Sequence, residues 1–477
     1  MVRPPTPLPG GAGTIGTTTI SGNYVQKAGG QLVVDADFAS GKSDVLTING
    51  AANIAGTVEV NPTSLRKTTL TVVSSTGPLT VDPSIQGSAN HLYSYQVGQV
   101  GNTLEVTPQA HFTEQAANFS RPEQAVANSL QNTFDSGATL TDGFAALAKV
   151  NGDADYASSL RSIAGEGLGA FGAFRINSSR SFSLDLYGGC REMTGDSKVG
   201  DSCSWGRVFD RSTNQDARDD TVGYHASAYT VEVGGQVSLS DKLALVLAAG
   251  SESSSMQDDN RDSQINGNTA IGGAALNYAN GPVQLSGAVD GAYGWYRSTR
   301  TVTVADESAT ADANPRQWQI GAHLRAGYSI PMSSATYFKP FIDGHAIYVS
   351  NDAFTEGGAS PFRLAVDGRS DTAFLGGVGT EFGAHFVSNS GVVFHPFVSA
   401  AVEFDSDLDW TTTAHFADQP AGAPFAIRTA GPGTLGRLAV GADIANSTHW
   451  SFSLLYGPEV GHGYTSQAGS ARLGYRF

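Results

Sequence analysis

The sequence predicts an all-β protein whose largest part is a twelve-stranded, antiparallel transmembrane β-barrel, and three observations support this. Residues 203–477 divide into twelve alternating segments of about ten residues, and bacterial barrels have an even number of such strands. Only 15% of the 477 residues are charged, against about 25% in ordinary soluble proteins. No apolar run reaches the roughly 18 residues of a membrane-spanning helix, so a membrane protein with this sequence has to cross the bilayer as a closed barrel.

The first part of the chain is expected to be a disordered segment followed by short strands. Residues 1–20 are rich in proline, glycine and threonine. From residue 21 to about residue 110, short apolar runs alternate with turn residues, which indicates a sandwich or a solenoid. The spacing of the runs does not decide between the two. The expected strands are residues 31–35, 44–49, 56–60, 68–74, 92–97 and 103–107.

Residues 111–202 are expected to be mainly helical. Ser120 and Glu123 form a capping-box pattern, with proline in the first turn, which predicts a helix running to about Phe134. A second helix is expected at residues 141–150.

A third helix is expected over about residues 156–188, and it contains four closely spaced glycines. In water each glycine would weaken a helix by up to about 1 kcal/mol, so this composition suits a helix that fits a narrow channel. Three of the glycines also match the GxGxxG spacing of nucleotide-binding loops, but they follow a helix and no βαβ unit surrounds them. The favoured interpretation is therefore that the glycines make the helix narrow enough to fit the channel. The four glycines are Gly165, Gly167, Gly169 and Gly172.

Several of the expected barrel strands have one apolar and one polar face. In residues 316–330, Ile320 and Leu324 share the apolar face, whereas Gln319 and His323 share the polar face. This alternation is typical of strands that lie between lipid and a hydrated lumen. The twelve strands are expected at residues 203–212, 225–238, 242–252, 267–280, 282–298, 316–330, 335–349, 371–387, 391–405, 433–446, 449–460 and 467–477.

The apolar faces are expected to point outward, into lipid. A soluble sandwich also alternates, but it would fill its interior with apolar groups, and here the polar faces carry charges of both signs. Aromatic residues at the ends of the apolar faces fit the girdles of a membrane barrel. They are Trp295, Tyr296, Trp318, Tyr328, Tyr348, Trp450 and Tyr456.

Ionisable side chains on the inner faces are the principal candidate site residues. The simplest interpretation is a hydrated wall that holds a polar helix. Alternation places these side chains in the lumen: Glu232, Asp290, Arg325, Asp343, Glu381, Glu403, Arg437, Asp443 and Arg472.

The two cysteines and the lack of catalytic motifs argue against a metal site and against an enzyme. Cys190 and Cys203 stand 13 positions apart and fit one local disulfide better than a metal site; that loop would add about 3 kcal/mol of stability. The sequence lacks GxSxG and HExxH motifs, so we expect neither an enzyme nor a cofactor. A net charge of -16 argues against nucleic-acid binding.

Four segments carry a resemblance to a known family. GNYVQ at residues 22–26 and SDVL at residues 43–46 resemble the last β-helix turns, the autochaperone region, of pertactin-like passengers. IAGE at residues 163–166 looks like the linker that threads a barrel pore, and WGRVF at residues 205–209 resembles a first barrel strand. The chain therefore resembles the type V autotransporter family over about residues 21–477.

The resemblance implies four domains and a function. Residues 1–20 would be a disordered N-terminus, and residues 21–110 a β-helical passenger stub. Residues 111–202 would be a linker that holds the pore helix. Residues 203–477 would be an outer-membrane translocator that secretes or displays the N-terminal passenger at the cell surface. The chain start has no apolar signal region, so we expect a fragment or a misassigned start.

Partners, an assembly signal and one reactive position also follow from the resemblance. Leu473, Tyr475 and Phe477 end the chain as outer-membrane barrels end, which implies recognition by the barrel-assembly machinery. Outer-membrane lipid, periplasmic chaperones and the protein's own passenger are the other expected partners, and we expect a monomer. Some family members cut the pore helix through an asparagine, and Asn177 is the candidate here.

Two alternative functions stay open. In the first, the N-terminal β-region is a surface adhesin. In the second, the barrel is a diffusion porin and residues 109–188 form a periplasmic domain instead of a plug.

Overall fold

The chain forms a β-helix, then a helical segment, then a closed β-barrel. Among the described residues, no helix is long and apolar enough to cross a membrane. The structure, a computed structural model, describes residues 13–140, 142–190, 202–217, 221–259, 261–406, 409–419, 422–431, 433–446 and 449–477.

Residues 17–110 wind into a β-helix with three sheets, in which strands of successive coils pair in parallel; this is the solenoid alternative. Gln31 pairs with Thr57, and Thr57 pairs with Gln86, so successive coils span 26 and 29 residues. Apolar side chains such as Ile48 fill the inside of the coils. The strands are β1 (Thr17–Ser21), β2 (Tyr24–Gln26), β3 (Gln31–Asp37), β4 (Lys42–Ser43), β5 (Val45–Asn49), β6 (Ala52–Ile54), β7 (Thr57–Ser64), β8 (Leu70–Ser75), β9 (Leu79–Val81), β10 (Gln86–Gly87), β11 (Tyr93–Val100) and β12 (Thr103–Ala110).

Both ends of the β-helix add detail that the sequence did not predict. β1 pairs in parallel with β5, so the last residues of the segment expected to be disordered, 1–20, form a strand instead; residues 1–12 lie outside the described residues. The threonines of β1 supply β-branched side chains that suit a strand. At the other end, β11 and β12 form an antiparallel hairpin around Gly101, whose φ of 57° suits its turn.

In the described part of the chain, five α-helices follow the β-helix. The expected capping box is present, because Glu123 accepts a hydrogen bond from the Ser120 backbone N–H at 2.8 Å. The helix expected at residues 141–150 is present but shorter, because α3 includes only Gly143–Leu147. The helices are α1 (Phe112–Gln115), α2 (Arg121–Asp135), α3 (Gly143–Leu147), α4 (Asp153–Ala164) and α5 (Ala170–Gly188).

The single helix expected over residues 156–188 is wrong, because the chain breaks it into α4 and α5. Gly165 ends α4 in the left-handed conformation, with φ 67°, where a residue with a side chain would be strained. A short 3-10 turn, Glu166–Leu168, leads into α5. Of the helices in the described part of the chain, α5 is the one that lies inside the barrel.

The predicted barrel of twelve antiparallel strands is confirmed. The sheet closes because the first strand pairs with both its successor and the last strand, so that Cys203 lies opposite both Gln236 and Arg476. The strands are β13 (Cys203–Gln215), β14 (Tyr224–Ser240), β15 (Leu243–Asp258), β16 (Ser263–Asn280), β17 (Val283–Val304), β19 (Arg316–Tyr328), β21 (Thr336–Asn351), β25 (Arg369–Ala384), β27 (Val393–Asp405), β30 (Leu435–Ala445), β31 (Trp450–Gly461) and β32 (Tyr464–Arg476).

Side chains alternate between the lumen and the outside as predicted. In β19, Ile320 and Leu324 are 56% and 69% exposed, whereas Gln319 and His323 are buried. Tyr296 is the exception among the expected girdle residues: it is buried and its hydroxyl bonds Thr269 at 2.6 Å. Its neighbour Trp295 takes the outer face, and alternation allows only one of two consecutive residues to do so.

The two ends of the barrel differ. At the "terminal mouth" lie the start of β13 and the end of β32. At the opposite "loop mouth", the connections between barrel strands contribute a sheet of four short strands, Phe354–Thr355, Leu364–Val366, Asp409–Phe416 and Phe425–Ala430. The strands outside the barrel wall are β18 (Glu307–Ala313), β20 (Ile330–Pro331), β22 (Phe354–Thr355), β23 (Gly357–Gly358), β24 (Leu364–Val366), β26 (Phe386–Val387), β28 (Asp409–Phe416) and β29 (Phe425–Ala430).

The helices α1–α4 sit on the loop mouth. One continuous buried apolar cluster runs from the β-helix through these helices to the loop-mouth sheet. Burial raises the pKa of Tyr156 in α4, so its hydroxyl stays protonated and donates a hydrogen bond to the Phe112 carbonyl at 3.2 Å. The β-helix is therefore packed onto the barrel through the helical segment.

Candidate functional site

Helix α5 fills the barrel lumen and is the centre of the candidate site. It contacts β15, β16, β17, β19 and β21. Two arginines and several serines of this helix are buried, although a helix with polar groups on every side is normally unstable when buried. The barrel wall therefore has to supply a partner for each of these groups.

Arginine–carboxylate pairs join α5 to the wall near the middle of the lumen. Arg175 lies 2.8 Å from Glu252 of β15 (Nη1 to Oε1). Arg180 lies 2.5 Å from both Glu403 of β27 and Glu459 of β31. Because both arginines, Glu252 and Glu403 are almost fully buried, each of these charges would be costly without its partner. The pairs fix both the depth and the rotation of the helix.

A second cluster of charges lies one turn farther along α5. Asp185 contacts Arg207 of β13, whose other side faces Glu232 of β14 at 3.5 Å. Glu232 was assigned to the lumen from the sequence. The structure therefore places it beside the pore helix through a shared arginine.

A serine of α5 meets an acid and two histidines, but these residues are not arranged as a serine triad. Ser179 donates to Asp290 at 3.0 Å, and His323 Nε2 lies 2.5 Å from the same carboxylate. His323 Nδ1 faces His345 Nδ1 at 2.9 Å. A serine triad needs the acid and the serine at opposite nitrogens of one histidine, and here both lie on the Nε2 side. The cluster holds the helix.

The wall also binds the end of α5 at the terminal mouth. Asn277 donates to the carbonyls of Leu186 and Tyr187 at 3.2 and 3.1 Å, and Arg472 donates to the Gly189 carbonyl at 2.6 Å. The last carbonyls of a helix have no partner within the helix and carry partial negative charge. Donors from the barrel therefore complete the helix end.

Cys190 and Cys203 form a disulfide immediately after α5. Cys203 is the first residue of β13, and the Cys190 N–H donates to Gln236 of β14 at 2.9 Å. The disulfide joins the pore helix to the first barrel strand at the terminal mouth.

The lumen-facing residues proposed from the sequence all lie on the inner side of the wall, but only some contact α5. Arg325 and Asp343 form a bidentate pair with each other, at 2.6 and 2.9 Å. The inner residues that are paired mainly within the wall are Arg325 with Asp343, Glu381 with Lys339, Asp443 with His395, and Arg437 with Glu403.

Sequence reasoning missed the helix side of this network and two of its acids. Arg175 and Arg180 stand in the segment that was assigned to the pore from its small residues. The available signal was that two cations in a helix expected inside a barrel need buried acidic partners. Glu252 and Glu459 occupy inward positions that alternation could have assigned. Trp410 lies in the loop-mouth sheet, where no alternation rule applied.

Small residues allow the helix to fit, as expected, although at fewer positions than the sequence suggested. A Cβ at Gly172 would overlap the ring of Trp410, and a Cβ at Gly273 of β16 would lie 3.0 Å from Phe182 of α5. Gly165, by contrast, acts as the left-handed end of α4. Small residues are therefore required on the barrel wall as well as on the helix.

The other proposed positions are placed as follows. The Asn177 side-chain amide is buried and donates to the Tyr464 hydroxyl at 3.2 Å. Leu473, Tyr475 and Phe477 all point outward, with exposed fractions of 52%, 37% and 71%. The terminal residues therefore lie on the lipid-facing side of β32.

Little space remains around the helix. A cavity of about 140 Å³ lies beside Asp185 and Arg207, and one of about 370 Å³ lies near Lys339 and His395 toward the terminal mouth. Among the described residues, no group of three or more His, Cys, Asp or Glu side chains is placed to hold a metal ion.

A closed twelve-stranded barrel filled by a polar helix defines an outer-membrane translocator. The family model of the autotransporter β-domain matches residues 204–457, more than half of the chain. The protein therefore belongs to the autotransporter β-domain family, as the resemblance implied, and serves type V secretion at the bacterial outer membrane.

The chain is similar to three solved autotransporter structures, and the first of them shows the same fold. The translocator domain of the autotransporter NalP from Neisseria meningitidis is 14% identical, with a TM-score of 0.51; the match covers 65% of this chain and 99% of that one. The transport unit of AIDA-I from Escherichia coli is 12% identical, with a TM-score of 0.42, over 63% and 98%. The β-domain of the Bordetella autotransporter BrkA is 14% identical, with a TM-score of 0.42, over 57% and 98%. No curated protein matches the sequence.

Proposed function

We propose that the barrel displays residues 13–164 at the cell surface, with the terminal mouth in the periplasm and the loop mouth outside. The observation that carries this proposal is the path of α5. Its first residues lie at the loop mouth beside Trp410, and its last residues lie at the terminal mouth beside Cys203. The β-helix precedes α5 in the chain and packs beyond the loop mouth.

We also propose roles for the segments expected from the sequence. Residues 21–110 are a passenger stub that folds outside as a β-helix and gives a preceding passenger a template. Residues 111–202 are the linker, of which α5 is the plug. Folding of the β-helix core outside the cell supplies part of the driving force for export. The folded coils are too wide to move back through the filled lumen, so folding makes each exported part of the chain stay outside.

Single-channel conductance of the purified barrel tests the plug. Deletion of residues 17–188 removes α5 together with the region that precedes it and should raise the conductance from nearly closed to that of an open pore. Deletion of residues 17–110, which leaves α5 in place, is the matched control and should keep the conductance low. An intact protein with a large, steady conductance would favour the diffusion porin.

We further propose that the outward residues Leu473, Tyr475 and Phe477 are read by the barrel-assembly machinery after periplasmic chaperones deliver the chain. An exposed apolar strand end is available for such recognition before lipid covers it. The partner strands inside one barrel complete the sheet, which supports a monomer.

For passenger release, we propose Asn177 as the position of cleavage. Its Nδ2 would attack its own backbone carbonyl carbon and close a succinimide ring; the bond to the Ser178 nitrogen breaks, and the proton from Nδ2 moves to that amine. Asn177→Ala should abolish a shorter membrane fragment, whereas the exposed Asn132→Ala should leave it. A fragment of unchanged size in Asn177→Ala would reject this position.

A further inference from the structure

We infer that the barrel lumen contains a binding site for a small inorganic anion, with chloride as the expected ligand, between α5 and the first barrel strand. Arg211 of β13 supplies the positive charge of this site, and the ion lies in the cavity of about 140 Å³ that the same side chain lines. The site depends on the position of α5 in the lumen and not on which mouth faces the cell surface.

Arg211 is a buried cation without an acidic partner. Its side chain is 3% exposed, and Nη1 donates to Ser181 Oγ at 3.1 Å while Nη2 donates to Ser178 Oγ. The Nε atom is buried and has no hydrogen-bond acceptor among the described residues. In the same part of the chain, no carboxylate oxygen lies within 4.0 Å of the guanidinium nitrogens. Neutral hydroxyl groups leave this buried charge uncompensated, which is costly.

The other buried arginines around α5 show what Arg211 lacks. Arg175 and Arg180 have carboxylate oxygens at 2.8 and 2.5 Å, and Arg207 contacts Asp185. Near Arg211 the corresponding neighbour is an aromatic ring, since its guanidinium carbon lies 5.0 Å from the centre of the Phe174 ring. An aromatic face attracts a cation but carries no net charge. A negative ion is therefore the partner that would complete this arginine.

The acidic residues of the cavity are already paired with other cations. Four arginines and three carboxylates line it: Arg207, Arg211, Arg437, Arg472, Asp185, Asp443 and Glu459. The pairs that occupy the three acids are Asp185 with Arg207, Asp443 with His395, and Glu459 with Arg180. A paired carboxylate repels an approaching anion only weakly, because its partner offsets its charge. The positive charge of Arg211 therefore determines which ion this cavity attracts.

The size of the cavity favours a small ion. A water molecule occupies about 30 Å³ in the liquid, so about 140 Å³ accommodates one chloride ion together with a few waters. Ser453 of β31 and Ser470 of β32 also line the cavity, and their hydroxyl groups are further donors for an anion. A much larger organic anion such as gluconate does not fit.

A route to the site begins at the terminal mouth. The cavity of about 370 Å³ on that side shares three lining residues with the smaller cavity, namely Leu184, Arg437 and Asp443. The two cavities therefore adjoin along one side of α5. An ion can reach Arg211 by this route while α5 keeps its contacts with the opposite wall.

An anion at Arg211 should stabilise the filled barrel. The arginine bonds two serines of α5 from a barrel strand, so the ion would neutralise a charge at the junction of helix and wall. A ligand that binds the native state and not the unfolded chain raises the unfolding temperature as its concentration rises. Chloride should therefore raise the unfolding temperature up to a plateau.

The test compares chloride with gluconate at constant ionic strength, so that screening of surface charges is the same. The purified full chain in a non-ionic detergent is heated, and its unfolding is followed by tryptophan fluorescence. At a chloride concentration about one hundred times the dissociation constant, the midpoint should be about 5–10 °C higher than in gluconate. Equal midpoints in the two salts over the whole concentration range would overturn the inference.

Matched variants assign the effect to Arg211. Arg211→Gln keeps hydrogen-bond donors for the serines but removes the charge, so it should lose the difference between the two salts. Arg297→Gln removes a charge at an exposed position of β17 and should keep the full difference. An arginine with a merely structural role would instead lower the midpoint of Arg211→Gln equally in both salts, and this result would overturn the inference.

Bromide locates the ion in the native protein, whether or not the variants fold. Crystals of the full chain grown in sodium bromide should show an anomalous peak in the cavity beside Arg211 Nε. Peaks at exposed arginines such as Arg297 with none beside Arg211 would mean an adventitious ion only and would overturn the inference. The plug is tested separately, because a conductance that rises when α5 is removed supports the plug with or without bromide at Arg211.

Discussion

Replacement of Arg180 by methionine should loosen the plug by a measurable amount. The substitution leaves the buried Glu403 and the half-buried Glu459 without one of their cationic partners, while Arg437 still lies 2.5 Å from Glu403 and 3.7 Å from Glu459. Removal of one member of a buried pair costs about 3–5 kcal/mol. Because Arg437 remains, we expect the lower value, about 3 kcal/mol.

This loss converts to a temperature shift that can be measured in membranes. For a domain of about this size, 1 kcal/mol corresponds to about 2–4 °C, so the midpoint of the heat-induced mobility change should fall by about 6–12 °C. Arg297→Met removes the same charge at an exposed position of β17 and should leave the midpoint nearly unchanged. Equal midpoints for both variants would refute the role given to the buried pairs.

Three other predictions follow from the site. Cys190→Ser removes the disulfide and should lower the free energy of unfolding by about 3 kcal/mol. Treatment of the native protein with reductant should lower its heat stability by the same amount. An unchanged heat stability would contradict a stabilising bridge to Cys203. Gly172→Leu places a side chain against the Trp410 ring and should reduce the assembled, heat-modifiable fraction, while Gly172→Leu with Trp410→Ala should recover part of it. Deletion of Phe477 should reduce the outer-membrane yield without changing synthesis, and an unchanged yield would contradict its role in assembly.

The barrel could be predicted because lipid imposes a simple rule on every strand. Ile320 and Leu324 must face hydrocarbon and Gln319 and His323 must face the lumen, so the sequence itself records the alternation. The rule gives the face of each residue and not its partner. Arg180 and Glu403 are separated by 223 positions, and only the closed barrel brings them together.

The loop-mouth sheet and the break before α5 could not be predicted from the alternation of lipid-facing and lumen-facing residues. Leu364–Val366 pairs with strand Asp409–Phe416, a long-range contact between short strands that have no fixed lipid face. Gly165 was counted among the residues that slim a helix, whereas its left-handed conformation ends one. A glycine can either narrow a helix or end it, and the packing of α4 against β17 decides which of the two occurs at Gly165.

Surface labelling of intact cells tests the central claim most directly. A single cysteine at the exposed position Ser158 or a short tag at the exposed loop near Gly41 would be treated with a reagent that cannot cross the outer membrane. Display by this barrel predicts full labelling before the membrane is permeabilised, in the same cells whose barrel shows heat-modifiable mobility. Labelling that appears only after permeabilisation would contradict display at the cell surface.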